Sequence, residues 1–355
     1  MKLPERWKRY FGGFYGSAWS VILGFAIGAI MIAASGADPI AAYSALIDGA
    51  FGSPYKLSET LAKTSPFLFS ALGFVAGYKA GFWNVGTEGQ ILLGAIFAIW
   101  GGVNFGYLPP ILHIPLVCLL GFVATGLWCM IFGVLKAKFG INEIITTLMS
   151  NYMVFWLAHY LVHWPWDDPY VHRPQTVPIA ASAFFPVLIP NTKLHLGIVL
   201  GVICAFLLYL FFKKTVLGYN IRSVGLSLDA AKYGGINVVK MILIATFISG
   251  GLSGMAGVGE VSGYHHFLED YMTEGYGFVG IAAAMLGRNN PLGVILSSLF
   301  FGFLWGGSQY MVRGAELPVG VIKTFVGIMI LTSLTGPIIE MLKRGLYRLR
   351  RKQTG

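Results

Sequence analysis

Charge is what this sequence has least of. Of its 355 residues, 25 are Lys or Arg and 15 are Asp or Glu, 11% in all, against roughly 25% in soluble domains. With 56% of the chain hydrophobic, that scarcity excludes an ordinary soluble domain and leaves a polytopic membrane protein. Cysteine is equally sparse. Cys118, Cys129 and Cys204 each sit inside an apolar run without CxxC spacing or a nearby His, so neither a disulfide framework nor a cysteine zinc site follows. They read as packing residues. The phosphate-cradling pattern G-x-x-x-x-G-K-[ST] occurs nowhere, so the chain does not hold nucleotide phosphates itself. His113, His159, His163, His172, His195, His265 and His266 are scattered, with no catalytic spacing. His265 and His266 are adjacent instead of four apart, which argues against a metal site. The reading is therefore of neither an enzyme nor a metal centre.

What is present in quantity is apolar sequence. Runs of spanning length lie near 18–35, 65–81, 90–105, 113–135, 143–163, 195–212, 239–258, 275–288, 292–311 and 319–341, which predicts an all-α bundle of about ten transmembrane helices in a single domain over 1–355. The basic N-terminus followed by an apolar run resembles a signal peptide in outline, but the run is long enough to span, and it is read as a retained first helix. The net charge of +10 does not point to nucleic acid, because the basic residues cluster at the ends of apolar runs. Lys56, Lys63, Arg173, Lys193 and Arg313 fall on one side and Lys323 inside the last span. The others, including Lys2 and the cluster from Lys343 to Lys352, fall on the side of the termini. By the positive-inside rule both termini are cytoplasmic.

The outward connections differ in kind. Asp38 to Thr64 carries a short amphipathic helix (Ala41, Tyr43, Leu46, Ala50), and 164–194, an extracytoplasmic loop rich in proline and aromatic residues, is expected as a docked, irregular cap. Val258 to Tyr276 holds Glu260, His265, His266, Glu269, Asp270 and Glu274 and reads as an acidic loop of solvated or partner-facing residues. Glycines at four-residue spacing, such as Gly73 and Gly77 or Gly250 and Gly254, predict close helix packing in lipid.

Two stretches break the apolar pattern. The first is Gly81-Phe82-Trp83-Asn84-Val85-Gly86-Thr87-Glu88-Gly89-Gln90, where the helical ladder should be interrupted. Such a break survives at membrane depth only if it is buried in protein or lines a wet cavity. A solvated cytoplasmic loop is the other reading. The second is the inward loop 213–240, with Ser227 as helix N-cap, Asp229 in the first turn and Gly234-Gly235 as the stop. Its length favours a docking element, since a simple connection needs only a few residues.

Asp229-Ala230-Ala231 followed by Gly235 resembles the coupling loop of bacterial ABC import permeases. Gly81 to Gln90 with Leu93-Gly94-Ala95, and Asn142-Glu143-Ile144-Ile145-Thr146-Thr147-Leu148-Met149 with Asn151-Tyr152, resemble the nucleoside and simple-sugar branch of those permeases. That branch is related to the branched-chain amino acid permeases and is served by a basic-membrane-protein type of binding lipoprotein. The first stretch departs from the family pattern at Trp83 and Thr87. The resemblance implies a type II-like importer bundle in a bacterial inner membrane, with ATP and Mg used by separate ATPase subunits. It also implies a second permease subunit, usually a different chain, and an extracytoplasmic binding lipoprotein. It assigns Phe82, Trp83, Asn84, Glu88, Gln90, Asn142, Glu143 and Asn151 to the substrate path, and Gly218, Arg222, Asp229, Ala230, Ala231, Gly234 and Gly235 to ATPase coupling. Phe82 and Trp83 would offer flat faces to a base or sugar, and the amides would supply hydrogen bonds. Glu143 also fits a first-turn helix carboxylate. Two rivals stand beside this reading: an ion-coupled secondary carrier using Glu88 or Glu143 for a proton, and a lipid-modifying membrane enzyme, which would need Asp, His or Arg clustered at one interface.

Overall fold

Short polar residues and prolines set the helix starts. Asp38 accepts from the Ile40 N–H, Asn142 from Ile144, Thr215 from Gly218, Ser227 from Ala230 and Asn237 from Lys240, each filling one of the donors a helix N-terminus leaves open. Pro39 and Pro110 occupy first helical positions, where the missing N–H costs nothing. In a computed structural model, which describes residues 5–332 except 274, 316, 319 and 322 and no side chain before residue 19, the helices are α1 (Glu5–Ala34), α2 (Pro39–Phe51), α3 (Pro54–Tyr78), α4 (Thr87–Asn104), α5 (Pro110–Phe139), α6 (Glu143–His163), α7 (Gly197–Lys214), α8 (Val216–Leu226), α9 (Leu228–Tyr233), α10 (Val238–Gly259), α11 (Tyr276–Leu286) and α12 (Pro291–Gly314). Lys2, Glu274, the basic cluster from Lys343 and the end of the run at 319–341 lie outside the described residues. No strand occurs among the described residues. Among the described residues, four helical segments are long and apolar enough to cross a bilayer: Pro110–Phe139, Gly197–Lys214, Val238–His265 and Pro291–Gly314.

Two compact units divide the chain, one of Met1–Lys56 with Leu304–Gly355, the other of Leu57–Phe303. In the first, the Tyr43 hydroxyl donates to the Phe25 carbonyl at 2.6 Å and its ring packs beside Phe25 and Phe325. The second is built around α10, which packs most extensively on α5 and α4. Small residues permit this. A methyl group on Gly254 would meet Thr125, one on Gly94 the Gly254 carbonyl, and one on Gly257 the Ile91 carbonyl. The last two are backbone approaches that only glycine allows, and packing of this kind is what holds helices together in lipid.

Two charges are placed differently from the sequence expectation. The structure carries α3 back to Pro54, so Lys63 is helical, and extends α10 through a π-turn at Glu260–His265. Glu260 is 0% exposed and paired with Lys63 at 3.2 Å. It is therefore not a solvated loop residue. The Lys63 ammonium also lies 3.8 Å from the Tyr264 ring centre. Ion pairing and cation–π contact together offset the desolvation that either charge alone would suffer.

The proline-rich segment 164–196 is irregular and docks through its backbone. Thr176, Ile179 and Phe185 donate to the carbonyls of Leu268, His266 and Ser262, and Ala180 donates to Gly102. His195 is buried at its end, its Nδ1 accepting the Gly197 N–H at 3.1 Å. Burial pulls its imidazole pKa from 6.5 down to about 4, against a weaker opposing pull from Glu260. Between those values the unfolded chain binds the proton and the folded chain does not. Thermal stability in detergent is expected to fall as pH drops from about 6.5 towards about 4, and not to change through this residue at higher pH. A His195→Gln variant should flatten that slope.

Candidate substrate site

The helix break spans the segment between α3 and α4, with Gly81 at φ +75°, a conformation that glycine adopts without a Cβ penalty. Side chains from other helices satisfy the backbone groups that the break exposes. Asn84 and Gln90 bond reciprocally at 2.8 and 3.1 Å, Asn84 Oδ1 accepts from Gly86 N, and Asn84 Nδ2 donates to Ser249 Oγ, which donates to the Gly73 carbonyl. On the α6 side, Asn151 Oδ1 accepts from Gly89 N at 2.8 Å and its Nδ2 donates to the Val85 carbonyl at 3.0 Å. Thr147 Oγ1 accepts from Val85 N, and Glu143 Oε1 from Trp83 N. Lys136 bridges Glu143 to the Gly81 carbonyl.

Thr87 opens α4, so Glu88 lies in its first turn. The Glu88 carboxylate accepts from Gly275 N at 2.8 Å and Gly277 N at 2.6 Å, the opening amides of α11, with Thr273 as a further donor. A carboxylate at a helix N-terminus meets both free N–H groups and the positive end of the dipole. Gly275 makes this possible with φ +96°.

Glu88 and Asn151 line one cavity of about 320 Å³. Its remaining wall on α4 and α6 is Leu92, Leu148, Tyr152, Phe155 and Trp156; across from them stand Tyr271, Thr273 and Phe278. The Phe155 ring lies 5.2 Å from that of Tyr271 and 5.5 Å from Trp156. Trp156 is 60% exposed, so the core does not consume its ring face. Tyr271 holds φ +60°, a strained value for a bulky residue, of the kind that accumulates at binding sites.

The other sequence-assigned path residues lie elsewhere. Phe82 is enclosed with Cys129 and Phe132, and Trp83 packs edge-on against Phe74 and Tyr78. Asn84 and Gln90 are fully buried in the tie across the break, Asn142 caps α6, and Glu143 pairs with Lys136. The aromatic wall was missed because Tyr152, Phe155 and Trp156 read as part of an apolar span. Their spacing beside Asn151 was the available signal. Nothing in the sequence of the loop at 258–276 marks Tyr271 or Thr273.

The loop residues assigned to coupling form α8 and α9. Gly218 fits against the Phe211 carbonyl, Arg222 Nε reaches the Gly218 carbonyl at 3.4 Å, and Ser227 caps the helix that holds Asp229, Ala230 and Ala231. Gly234 follows as C-cap and Gly235 turns out at φ +75°. Ala231 is buried, while Leu226 and Tyr233 are 87% and 94% exposed. At the end of α8, Gly225 abuts the Lys79 carbonyl and Gly81, so this loop touches the break directly.

Long apolar helices and a polar break closed by protein donors define a multi-pass membrane protein, with a small aromatic cavity beside the break. Residues 56–334 match the family described as "Branched-chain amino acid transport system / permease component". The chain belongs to that family. It is 34% identical to the guanosine ABC transporter permease protein NupP of Bacillus subtilis, over 88% of this chain and 90% of that one. It is 32% identical to the nucleoside ABC transporter permease protein NupB of Lactococcus lactis, over 91% of each. The glucose ABC transporter permease protein TsgB13 of Haloferax volcanii is 29% identical over 92% of this chain and 88% of its own length.

Proposed function

We propose that this chain is the membrane-spanning permease subunit of an ATP-driven importer, forming the path for a nucleoside or related small polar solute. The observation that carries the reading is the cavity bounded by Phe155, Trp156, Tyr271 and Glu88. Its volume is at the low end of small-molecule sites, roughly 300–1,000 Å³. Flat aromatic faces suit a base, and the Asn151 and Glu88 edge suits hydroxyls. The likeness to nucleoside permeases supports the same class, with sugars behind.

In this reading the chain is one domain of about ten spans in a bacterial inner membrane, with both termini and the 213–240 loop in the cytoplasm. ATPase subunits, which hold the ATP and Mg, seat α9 and the end of α8 through Leu226, Asp229 and Tyr233. A second permease chain, supported by the exposed Met149, Tyr152, Met153 and Trp156 face of α6, completes the pore. An extracytoplasmic lipoprotein delivers the solute over 164–194. Nucleotide-driven closure moves α9, and α8 passes the motion to the break through Gly225 and Gly81.

The test is uptake of labelled guanosine and of glucose in cells carrying the whole transporter. Base stacking on an aromatic ring is worth about 1–3 kcal/mol. Phe155→Ala and Trp156→Ala are therefore expected to lower nucleoside uptake roughly tenfold at unchanged membrane abundance. Wild-type uptake in both variants would remove the cavity from the path.

A further inference from the structure

The end of α6 carries a histidine pair at four-residue spacing whose third partner only the fold supplies. His159 and His163 are four residues apart on one helix face, with ring centres 4.0 Å from each other. Asp270, distant in sequence, closes the group: its Oδ2 lies 2.8 Å from His159 Nδ1 and 4.0 Å from His163 Nε2. One nitrogen or oxygen from each residue falls within 4.8 Å of the others.

His159 Nδ1 donates to Asp270 Oδ2 at 2.8 Å, and a metal would take the place of that proton; His163 already offers a free lone pair. His163 Nδ1 lies 2.9 Å from the His159 carbonyl, which accepts only, so the proton sits on Nδ1 and Nε2 presents its lone pair towards Asp270. A metal-ligating imidazole commonly gives its other N–H to a backbone carbonyl in this way, which fixes tautomer and ring orientation. Tetrahedral zinc at about 2.0–2.1 Å from N and O ligands spaces those ligands about 3.3 Å apart. The observed 2.8 and 4.0 Å bracket that value, and the third separation is within 4.8 Å. Two imidazoles and one carboxylate favour Zn²⁺ or its transition-series neighbours over Mg²⁺ and Ca²⁺, which prefer all-oxygen sites.

We propose that His159, His163 and Asp270 form a binding site for a divalent transition metal of the zinc class, with a fourth position open to water. The site sits at the rim of the aromatic cavity. Asp270 precedes Tyr271, and the His159 ring lies 5.4 Å from that of Trp156. A bound ion therefore pins α6 to the segment that faces it across the cavity. Metal binding does not depend on what the cavity carries.

The experiment uses the full chain in detergent micelles, purified on an affinity tag without histidine and stripped with a chelator. Zn²⁺ titration by calorimetry and Co²⁺ titration by visible absorption are run on wild type, His163→Ala and Asp270→Asn, with Mg²⁺ as control. One Zn²⁺ per chain and a tetrahedral Co²⁺ spectrum are expected in wild type. Each variant is expected to lose the spectrum and bind Zn²⁺ at least about tenfold more weakly, at unchanged elution volume on gel filtration. Wild type that takes up no Zn²⁺, or variants that bind it as tightly as wild type, would overturn the proposal and leave His159 and Asp270 as an ordinary hydrogen-bonded pair.

Discussion

Glu88→Ala is expected to lose both transport and folded protein. Removing the carboxylate leaves the Gly275 and Gly277 N–H groups, now bonded at 2.8 and 2.6 Å, without a protein acceptor. Each such loss costs about 1–3 kcal/mol, so a destabilisation of roughly 2–6 kcal/mol is expected, read as a lower melting midpoint in detergent. Glu88→Gln should be affected in the same direction, because its amide group presents a donor where two donors already point. The variant also separates two transport mechanisms. In a carrier that moves a proton on Glu88, Gln would mimic the protonated form, so the midpoint would hold while proton-linked uptake disappeared. In the permease reading the carboxylate is a fixed tie between α4 and α11, and Gln lowers the midpoint.

The second large effect is expected at α9 and the end of α8. Leu226→Ala and Tyr233→Ala remove surface that the fold leaves almost fully exposed, so folding should not change. A side chain at the centre of a docking surface is worth about 2 kcal/mol or more on truncation, near thirtyfold in affinity. The double variant is therefore expected to lose copurification with the ATPase subunits and to abolish uptake while staying in the membrane. Asp229→Lys should act likewise through charge reversal. Normal ATPase binding and uptake in these variants would leave α8 and α9 as a structural connection only. Gly235→Trp is a less clean probe. Its side chain would meet open space, but the φ of +75° strains any residue with a Cβ, by about 1–2 kcal/mol.

Sequence and structure agree most where local chemistry decides. Ser227 caps α9, and the break between α3 and α4 covers the first part of the Gly81–Gln90 stretch, up to Gly86. Caps and breaks depend on residues within a few positions of each other. They disagree where a partner far along the chain decides. Glu260 looked like a loop acid because its partner Lys63 is remote in sequence, and Lys63 itself was assigned to an outer connection. The tie from Asn84 to Ser249 of α10 likewise depends on a residue remote in sequence.

The sequence by itself determined the all-helical membrane character, the broken helix and the capped loop helix, since each follows from hydropathy, glycine and capping residues read over short windows. Only the tertiary structure decided which polar groups face a cavity and which close upon one another. A buried donor or acceptor must find a partner within about 3 Å, and that partner is supplied by the packing of helices whose order in space the linear chain does not contain.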